Sequence, residues 1–234
     1  MCEIEAQQSS AMKTVLIFRL GSLGDTVVAL PCFHKIAKSF PEARRIVLTN
    51  VPVASNAAPL LQVLDGAGLV DGTITYPVSL RDPKALLELA ASIRATGAQT
   101  LVYMTARRSL FPVVRDIAFF RLAGIQRIIG APLKPDQREA RIDFERGVEE
   151  QEAERIARQL ADLGAIDLCD RANWDLRLQP TEISAAHEAI EPLIGMVFFA
   201  IHAGSKLANK CWSGDRWPKL LQSLSRGSHH SLRL

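Results

Sequence analysis

The stretch TVLIFRLGSLGDTVVALP, residues 14–31, predicts the start of an α/β fold. It opens with a continuous, largely apolar run, TVLIF, as expected for a strand that is buried on both faces of a parallel sheet. Gly21 and Gly24 follow in a loop, where glycine permits a sharp turn or the close approach of a ligand. Asp25 comes directly after the second glycine, where a helix is expected to begin. The sequence therefore places an acid at the mouth of the predicted sheet.

Strand and helix patterns alternate along the chain as far as Gly164. Four further strands are predicted, at residues 46–49, 72–76, 100–103 and 127–129. Apolar residues at helical spacing predict helices around residues 33–40, 86–93, 113–120 and 153–160. Asp82 and Pro83 are typical of an N-cap and a first helical residue. This alternation indicates a doubly wound parallel sheet covered by helices on both faces.

Three regions follow from these patterns. Residues 13–165 are predicted to form a complete N-terminal Rossmann-like domain, and the polar stretch at 131–143 is predicted to be a loop within it. Residues 166–180 are interpreted as a linker, with WDLRL at 174–178 as an alternative crossing strand. Residues 181–234 are expected to begin a second Rossmann-like domain.

The second region of the fold is predicted in outline. Thr181 is expected to cap a short helix that runs to about Leu193. The run MVFFAI at 196–201 is predicted to be a buried strand, and a further helix is expected over 216–224.

Composition excludes several classes of protein. A net charge of +3 over 234 residues is too small to indicate binding to duplex nucleic acid. The four cysteines form no C-x-x-C pair, and the spacing of His202, Cys211 and Asp215 is not that of a metal site, so reduced thiols and no metal are expected. The polar N-terminus and the absence of an apolar run of ~20 residues favour a cytoplasmic protein.

Asp25 has two interpretations. It could be a helix N-cap whose carboxylate accepts hydrogen bonds from main-chain N–H groups. It could also be a general base, since a carboxylate at the carboxyl edge of a sheet can accept the proton of a bound hydroxyl group. A dinucleotide-binding role is disfavoured because the G-x-G-x-x-G pattern is absent and the second strand ends in Thr49 and Asn50, not in an acid.

A second loop, IHAGSKLANKCW at 201–212, again follows an apolar run. Gly204, Ser205 and Lys210 could present backbone donors, a hydroxyl group and an ammonium group to one phosphate. Lys210 could equally be a solvated loop lysine, and Trp212 is expected to be a core aromatic.

Arg107 and Arg108 follow the strand LVYM, at the same predicted edge of the sheet as Asp25. Arginines in a loop are commonly solvated. A paired fork facing a cleft could instead hold the carboxylates or phosphates of an anionic acceptor.

Four segments together resemble glycosyltransferase family nine, the lipopolysaccharide heptosyltransferase type. They are RLGSLGDTVVALP at 19–31, LVYMTARRS at 101–109, FFRLAGIQRIIGAP at 119–132 and IHAGSKLANKCW at 201–212. The resemblance implies a GT-B fold and an inverting, metal-independent transfer of a heptose-like sugar. The donor would be an ADP-linked nucleotide sugar, no further cofactor would be needed, and the acceptor would be an anionic, lipid-linked saccharide of the lipopolysaccharide type. A peripheral contact with the inner face of the membrane is also implied.

The resemblance assigns roles to individual residues. Asp25 matches the catalytic base of the family, and Lys210 matches the lysine on the donor phosphates. Ser205 matches a hydroxyl residue on the same phosphate loop, beside Gly204. The family's second domain continues with further βα units that this sequence lacks, so an incomplete donor-side domain is expected.

The sequence is therefore compatible with three functions. The first is a glycosyltransferase, and the second is an inactive remnant or a non-catalytic Rossmann-like binding domain. The third is a nicotinamide oxidoreductase, which the missing glycine pattern disfavours.

Overall fold

The computed structural model describes most of the chain. The described residues are 13–21, 23–50, 60–77, 82–196, 198, 200–201, 204 and 211–227. The chain divides into two compact units, Met1–Ile183 and Ser184–Leu234.

The first unit contains a five-stranded parallel sheet. Its strands are β1 (Thr14–Arg19), β2 (Arg44–Asn50), β3 (Gly72–Tyr76), β4 (Thr100–Met104) and β5 (Arg127–Ile129). Their order across the sheet is β3-β2-β1-β4-β5. In the central strand, Phe18 is in register with Leu48 of β2 and with Tyr103 of β4. The five strands predicted from the sequence are confirmed, each within two residues of its predicted ends.

Helices cover both faces of this sheet, as predicted for a doubly wound fold. The helices among the described residues are α1 (Leu23–Val28), α2 (Leu30–Ser39), α3 (Leu61–Leu64), α4 (Pro83–Ala95), α5 (Leu110–Leu122), α6 (Pro135–Arg138), α7 (Glu152–Gln159), α8 (Pro180–Ile190) and α9 (Arg216–Gly227). Successive side chains of a strand point to opposite faces, so β1 feeds two cores. Val15 and Ile17 pack with α2, α3 and α7, whereas Leu16 and Phe18 pack with α4 and α5.

The ends of α4 follow the sequence signals. The carboxylate of Asp82 accepts a hydrogen bond from the main-chain N–H of Ala85 at 3.0 Å, and Pro83 is the first helical residue. Gly97, which follows the helix, has φ +69°, a conformation that costs glycine little. The predicted cap and terminator of this helix are confirmed.

The stretch 131–143 is not only a loop, as predicted. It contains α6 and β6 (Ile142–Asp143), which pairs in antiparallel fashion with β7 (Val148–Glu149). The strands have two residues each and all four residues are exposed, so no alternation of apolar and polar residues marks them in the sequence.

Residues 166–179 belong to the first unit and contact the loop that follows α3. Arg177 donates to the main-chain carbonyl of Ala67 at 3.1 Å, and Gln179 donates to that of Gly66 at 2.8 Å. A 3-10 turn occupies Arg171–Trp174, and residues 174–178, all of which the structure describes, are not in a strand, so the alternative of a crossing strand there is wrong. The boundaries predicted for a linker and for two domains stay a prediction.

The second unit holds part of α8, a 3-10 turn at Glu191–Leu193, and α9. The predicted helix over 216–224 is thereby confirmed. The predicted buried strand at 196–201 is wrong for its described residues: Met196, Phe198 and Ile201 are not in a strand and are about half exposed. A strand needs neighbours to complete its hydrogen bonds, and the described residues of this unit contain none.

Trp212 is also not the core aromatic that was expected. Its side chain is 50% exposed and packs against Trp217 of α9, with the ring centroids 5.4 Å apart. The packing of the two indoles against each other removes part of each ring from solvent, so Trp212 does not need a surrounding hydrophobic core.

Candidate functional site

The carboxyl ends of β1 and β4 mark the point where the order of the strands reverses. From β1 the chain proceeds to β2 and β3 on one side, and β4 and β5 then add on the other side. In open α/β sheets, ligands bind in the crevice at such a switch point, beyond the carboxyl ends of the strands. Arg19 and Met104 are the register partners at this edge.

Arg19 is a buried arginine that ties these two strand ends together. Its side chain is 1% exposed, and Nη1 donates to the main-chain carbonyl of Met104 at 3.2 Å. Nη2 donates to the main-chain carbonyl of Asp25. Burial lowers the pKa of Arg19 from its ordinary value, and the charge of Asp25 is the largest influence that opposes this. The buried guanidinium of Arg19 therefore anchors the first turn of α1 to the end of β4.

Asp25 lies in the first turn of α1, not at its cap. The helix begins at Leu23, so Asp25 is the third helical residue, where the helix dipole still favours a negative charge. The N-cap interpretation is therefore wrong in detail. Asp25 is solvent-exposed, so its carboxylate is accessible to a ligand at this edge.

Gly21 packs directly against the side chain of Asp25. A Cβ atom placed on Gly21 would lie 2.5 Å from Cβ and 2.6 Å from Oδ2 of Asp25, and Gly21 has φ +130°. Its main-chain N–H also donates to Oδ1 of Asn50, the last residue of β2, at 3.2 Å. Any other residue at position 21 would force the Asp25 side chain to move.

Gly24 has no comparable constraint. A Cβ atom placed there meets nothing within 4 Å, and its φ is not positive. Of the two glycines that the sequence marked together, only Gly21 is required by the geometry of the described residues.

A second buried arginine lies at the same edge. Arg155 of α7 is 1% exposed, donates to the main-chain carbonyl of Thr105 at 2.7 Å, and pairs with Glu152 at 2.7 Å. Thr105 directly follows β4, so Arg155 ties α7 to the end of this strand. Arg155 and Arg19 act on each other electrostatically, and each is buried with mainly carbonyl or carboxylate partners.

The same edge holds buried polar atoms whose hydrogen-bonding capacity the protein does not use. Among the described residues, the buried side-chain nitrogen and oxygen atoms without a partner are Nε of Arg19, Oγ1 of Thr49 and Oγ1 of Thr105. These residues lie at the carboxyl ends of β1, β2 and β4, which are adjacent in the sheet. Buried polar groups are nearly always paired in folded proteins. Among the described residues, unused buried donors and acceptors are therefore concentrated at the carboxyl edge of the sheet.

Arg107 and Arg108 do not form a paired fork. Arg107 forms an exposed ion pair with Glu149 of β7, with Nη2 and Oε2 2.9 Å apart. Arg108 pairs instead with Asp116 of α5, whose carboxylate also accepts a hydrogen bond from the Tyr103 hydroxyl at 2.9 Å. Burial, and then Asp116, raise the pKa of Tyr103 to about 12. Each arginine thus has a protein partner, and their role in binding an acceptor stays a prediction.

The second predicted cluster consists of Gly204, Ser205 and Lys210, of which the structure describes Gly204. Gly204 is exposed and belongs to the second unit. Ser205 and Lys210 lie outside the described residues, so their predicted contact with phosphate stays a prediction.

Sequence reasoning missed the residues that hold this edge together. Arg19 lies within the motif at 19–31 but was assigned no role. Asn50 was considered only as the non-acidic end of the second predicted strand. A charged residue that directly extends an apolar strand is a usable signal, since burial of arginine requires partners. Nothing in the sequence near Arg155 indicated that its side chain would bind the main-chain carbonyl of Thr105.

Comparison with solved structures supports the fold. The chain has the fold of a glycosyl transferase family 9 protein from Veillonella parvula DSM 2008, with a TM-score of 0.54 and 16% identity. It also has the fold of the heptosyltransferase WaaC of E. coli, solved with ADP, with a TM-score of 0.52 and 14% identity. These matches cover 94% and 92% of this chain but only 62% and 65% of the two structures. The α/β, GT-B-like fold predicted from the sequence is confirmed. No family model and no curated protein sequence matches the chain.

Proposed function

We propose that this chain provides the acceptor-side domain and catalytic base of an inverting glycosyltransferase. Asp25 carries the proposal, since it presents an exposed carboxylate at the β1–β4 switch point and is held there by Gly21 and Arg19. The fold shared with a family 9 glycosyltransferase and with a heptosyltransferase supports it.

The chemistry would require one proton acceptor on the protein. Asp25 takes the proton of an acceptor hydroxyl group as that oxygen bonds to the anomeric carbon of the donor sugar. The bond from the anomeric carbon to the nucleoside diphosphate breaks at the same time, on the opposite face of the sugar. The configuration at that carbon therefore inverts in a single displacement.

The donor would be a nucleotide sugar bound from the second unit. Gly204, Ser205 and Lys210 would contact its phosphates, and the ammonium group of Lys210 would offset the charge on the departing diphosphate without a metal. ADP in the structure of the E. coli heptosyltransferase favours an ADP-linked, heptose-like donor here. The acceptor would be a lipid-linked saccharide of the lipopolysaccharide type, and the site of action would be the cytoplasmic side of the membrane.

Binding measurements test the donor first. Isothermal titration of the chain with ADP, UDP, ADP-heptose and UDP-glucose should reveal a preference for the ADP compounds. The same titrations on a form extended to a complete second domain separate a weak, partial site from no site. A chain without a donor site would bind neither class of nucleotide sugar in either form, and this would contradict the proposed donor.

Turnover then tests Asp25. In a form that transfers sugar, Asp25→Asn should lower kcat by about 10² or more, because the amide cannot accept the proton. Donor affinity should change little. Asp82→Asn is the matched control, since it makes the same substitution at another exposed acid in a helix N-terminal region, and its kcat should be unchanged. A near-normal kcat for Asp25→Asn would leave Asp25 with a structural role only.

A further inference from the structure

Helix α5 is apolar on its outer as well as its inner side. Val113 and Phe120 face the core of the sheet and are at most 2% exposed. Five further apolar residues are exposed on the opposite side: Leu110, Phe111, Val114, Ala118 and Leu122. These five residues are called here the apolar face of α5.

The exposure of this face is large. Phe111 is 77% exposed, Leu122 is 76% exposed, and Leu110 and Val114 are 45% and 49% exposed. At 100° per residue the five side chains fall within an arc of about 120° and form one stripe along the helix. Isolated apolar residues on a surface are ordinary, but a continuous stripe marks a place where another surface binds.

The exposed charged residues of α5 itself are both arginines. At the same 100° per residue, Arg115 and Arg121 lie towards opposite edges of the arc, and both are exposed. The helix has one acidic residue, Asp116, which is nearly buried and is paired with both Arg108 and Arg115. The side chain of Arg115 is nevertheless 62% exposed. Arg94 of α4 adds a third cation at the end of the helix, where it donates to the main-chain carbonyl of Leu122 at 2.7 Å. The exposed side of α5 is thus apolar along its middle and positive along its margins.

We propose that the apolar face of α5 docks on an anionic lipid surface, with the helix axis parallel to the membrane. A helix that buries Phe and Leu at the level of the acyl chains while arginines reach phosphate headgroups is the usual form of such a contact. The helix has 13 residues and is therefore about 20 Å long, too short to cross a bilayer core of about 30 Å. No helix among the residues that the structure describes is both long and apolar enough to span a membrane.

A second copy of the chain is a poorer occupant of this face. An isologous contact would bring Arg115 and Arg121 of one copy close to the same arginines of the other. Like charges brought together in an interface oppose association. An anionic lipid surface satisfies both the apolar stripe and its positive margins.

Docking has a consequence for the candidate site, and this part alone rests on the proposed function. Helix α5 begins six residues after Met104, the last residue of β4, so its N-terminal end lies near the carboxyl edge that carries Asp25. A lipid-linked acceptor could then reach Asp25 while its lipid remains in the membrane.

Vesicle sedimentation tests the docking without any enzymatic assay. The wild-type chain should partition onto vesicles of equal parts phosphatidylglycerol and phosphatidylcholine. Phe111→Ser combined with Leu122→Ser should weaken this partition by at least about tenfold, because two large apolar side chains no longer enter the membrane. Leu178→Ser is the matched control. Leu178 is 51% exposed and follows Arg177, whose contact with Ala67 places it beside the core on the opposite face of the sheet, so partition should not change.

The dependence of vesicle binding on lipid charge and on salt concentration tests the role of the arginines. Vesicles of phosphatidylcholine alone, or anionic vesicles in 0.5 M NaCl, should bind the wild-type chain at least about fivefold more weakly, since added salt screens surface charge. Failure of the wild-type chain to bind anionic vesicles would overturn the proposal. Equal binding by the double variant and by the wild type would do the same.

A second measurement covers the case in which the double variant does not fold, which circular dichroism would reveal. Phe111→Trp should gain tryptophan fluorescence that brominated lipids quench, whereas Leu178→Trp should gain fluorescence that they do not quench. An unquenched signal from Phe111→Trp would contradict docking. Light scattering completes the test: a dimer that the double variant abolishes would assign the face to a second copy and refute the lipid proposal.

Discussion

Arg19 donates a hydrogen bond to the main-chain carbonyl of Asp25, so a buried cation at the end of β1 holds the backbone of an exposed carboxylate. The same guanidinium reaches the carbonyl of Met104 on the neighbouring strand. One side chain therefore fixes the carboxylate relative to the switch point of the sheet. Arg19 thereby links the ends of β1 and β4 to the first turn of α1, which carries Asp25.

Arg19→Met is expected to lower the free energy of unfolding by about 2–4 kcal/mol, because two carbonyls lose their donor in a buried place. Arg19→Lys should recover only part of this loss, since an ammonium group cannot reproduce the planar fork that spans both carbonyls. Urea denaturation of the three proteins measures the difference. Equal stability of Arg19→Lys and the wild type would mean that charge alone, and not the fork, holds this edge.

Gly21→Ala is expected to destabilise the chain by about 2 kcal/mol or more, since an alanine is strained at φ +130° and its Cβ would overlap the Asp25 side chain. Gly24→Ala is the matched control: its Cβ meets nothing within 4 Å, and alanine in a helix is favoured over glycine by up to about 1 kcal/mol. Thermal unfolding of both variants is the measurement. A Gly24→Ala variant as unstable as Gly21→Ala would show that the loop tolerates no side chain at either position.

Arg108→Ala is expected to cost about 2 kcal/mol of stability, because it leaves the nearly buried carboxylate of Asp116 with fewer partners. Arg107→Ala should leave the melting temperature unchanged, since its ion pair with Glu149 is about half exposed on both sides. Differential scanning calorimetry distinguishes the two. An equal loss from both substitutions would contradict the separate roles that the structure gives these arginines.

Glu150→Gln should weaken the fold in a pH-dependent manner. A hydrogen bond from Arg158 holds the pKa of Glu150 below its ordinary value of 4.5, and the pair lies only 2.5 Å apart between Nη2 and Oε2. A carboxyl group whose pKa is lower in the folded state stabilises it above the unfolded pKa and loses this contribution as pH falls through the folded value. The variant should therefore be about 1–2 kcal/mol less stable at pH 7, with the difference shrinking below about pH 4.5.

Urea denaturation at several pH values measures this effect. Glu149→Gln, on the adjacent residue, serves as the control, since its exposed pair with Arg107 should add little stability at any pH. A loss for Glu150→Gln that is equally large at pH 7 and at pH 3 would exclude an ionic origin.

Residue patterns alone were enough to predict the sheet and the position of the acid. The strands of a parallel sheet are buried on both faces, so they appear as continuous apolar runs, and the helices between them show a helical period. Local signals such as Asp82, Pro83 and Gly97 then placed the ends of α4 correctly. Asp25 could be placed at the carboxyl edge because it directly follows the first of these runs.

Local patterns failed where tertiary contacts decide. The hairpin of β6 and β7 has two residues in each strand, too few to show any period, and the apolar run at 196–201 resembles a strand although its described residues pair with none. Arg107 and Arg108 are adjacent in the chain, yet they turn to Glu149 and Asp116 on different elements. Such choices depend on which acid the fold brings near, and sequence spacing does not encode this.

The contacts that hold Asp25 in place arise only in the folded chain. Arg19 contacts a carbonyl 85 residues away, and Arg155 contacts one 50 residues away, so each interaction exists only once β1, β4 and α7 have assembled. The sequence likewise marked Gly21 and Gly24 as one motif, whereas three-dimensional packing distinguishes them through the close contact of Gly21 with Asp25. Residue type and periodicity set the fold, but the partners of a buried polar group are set by long-range geometry, because its desolvation must be compensated wherever the fold places it.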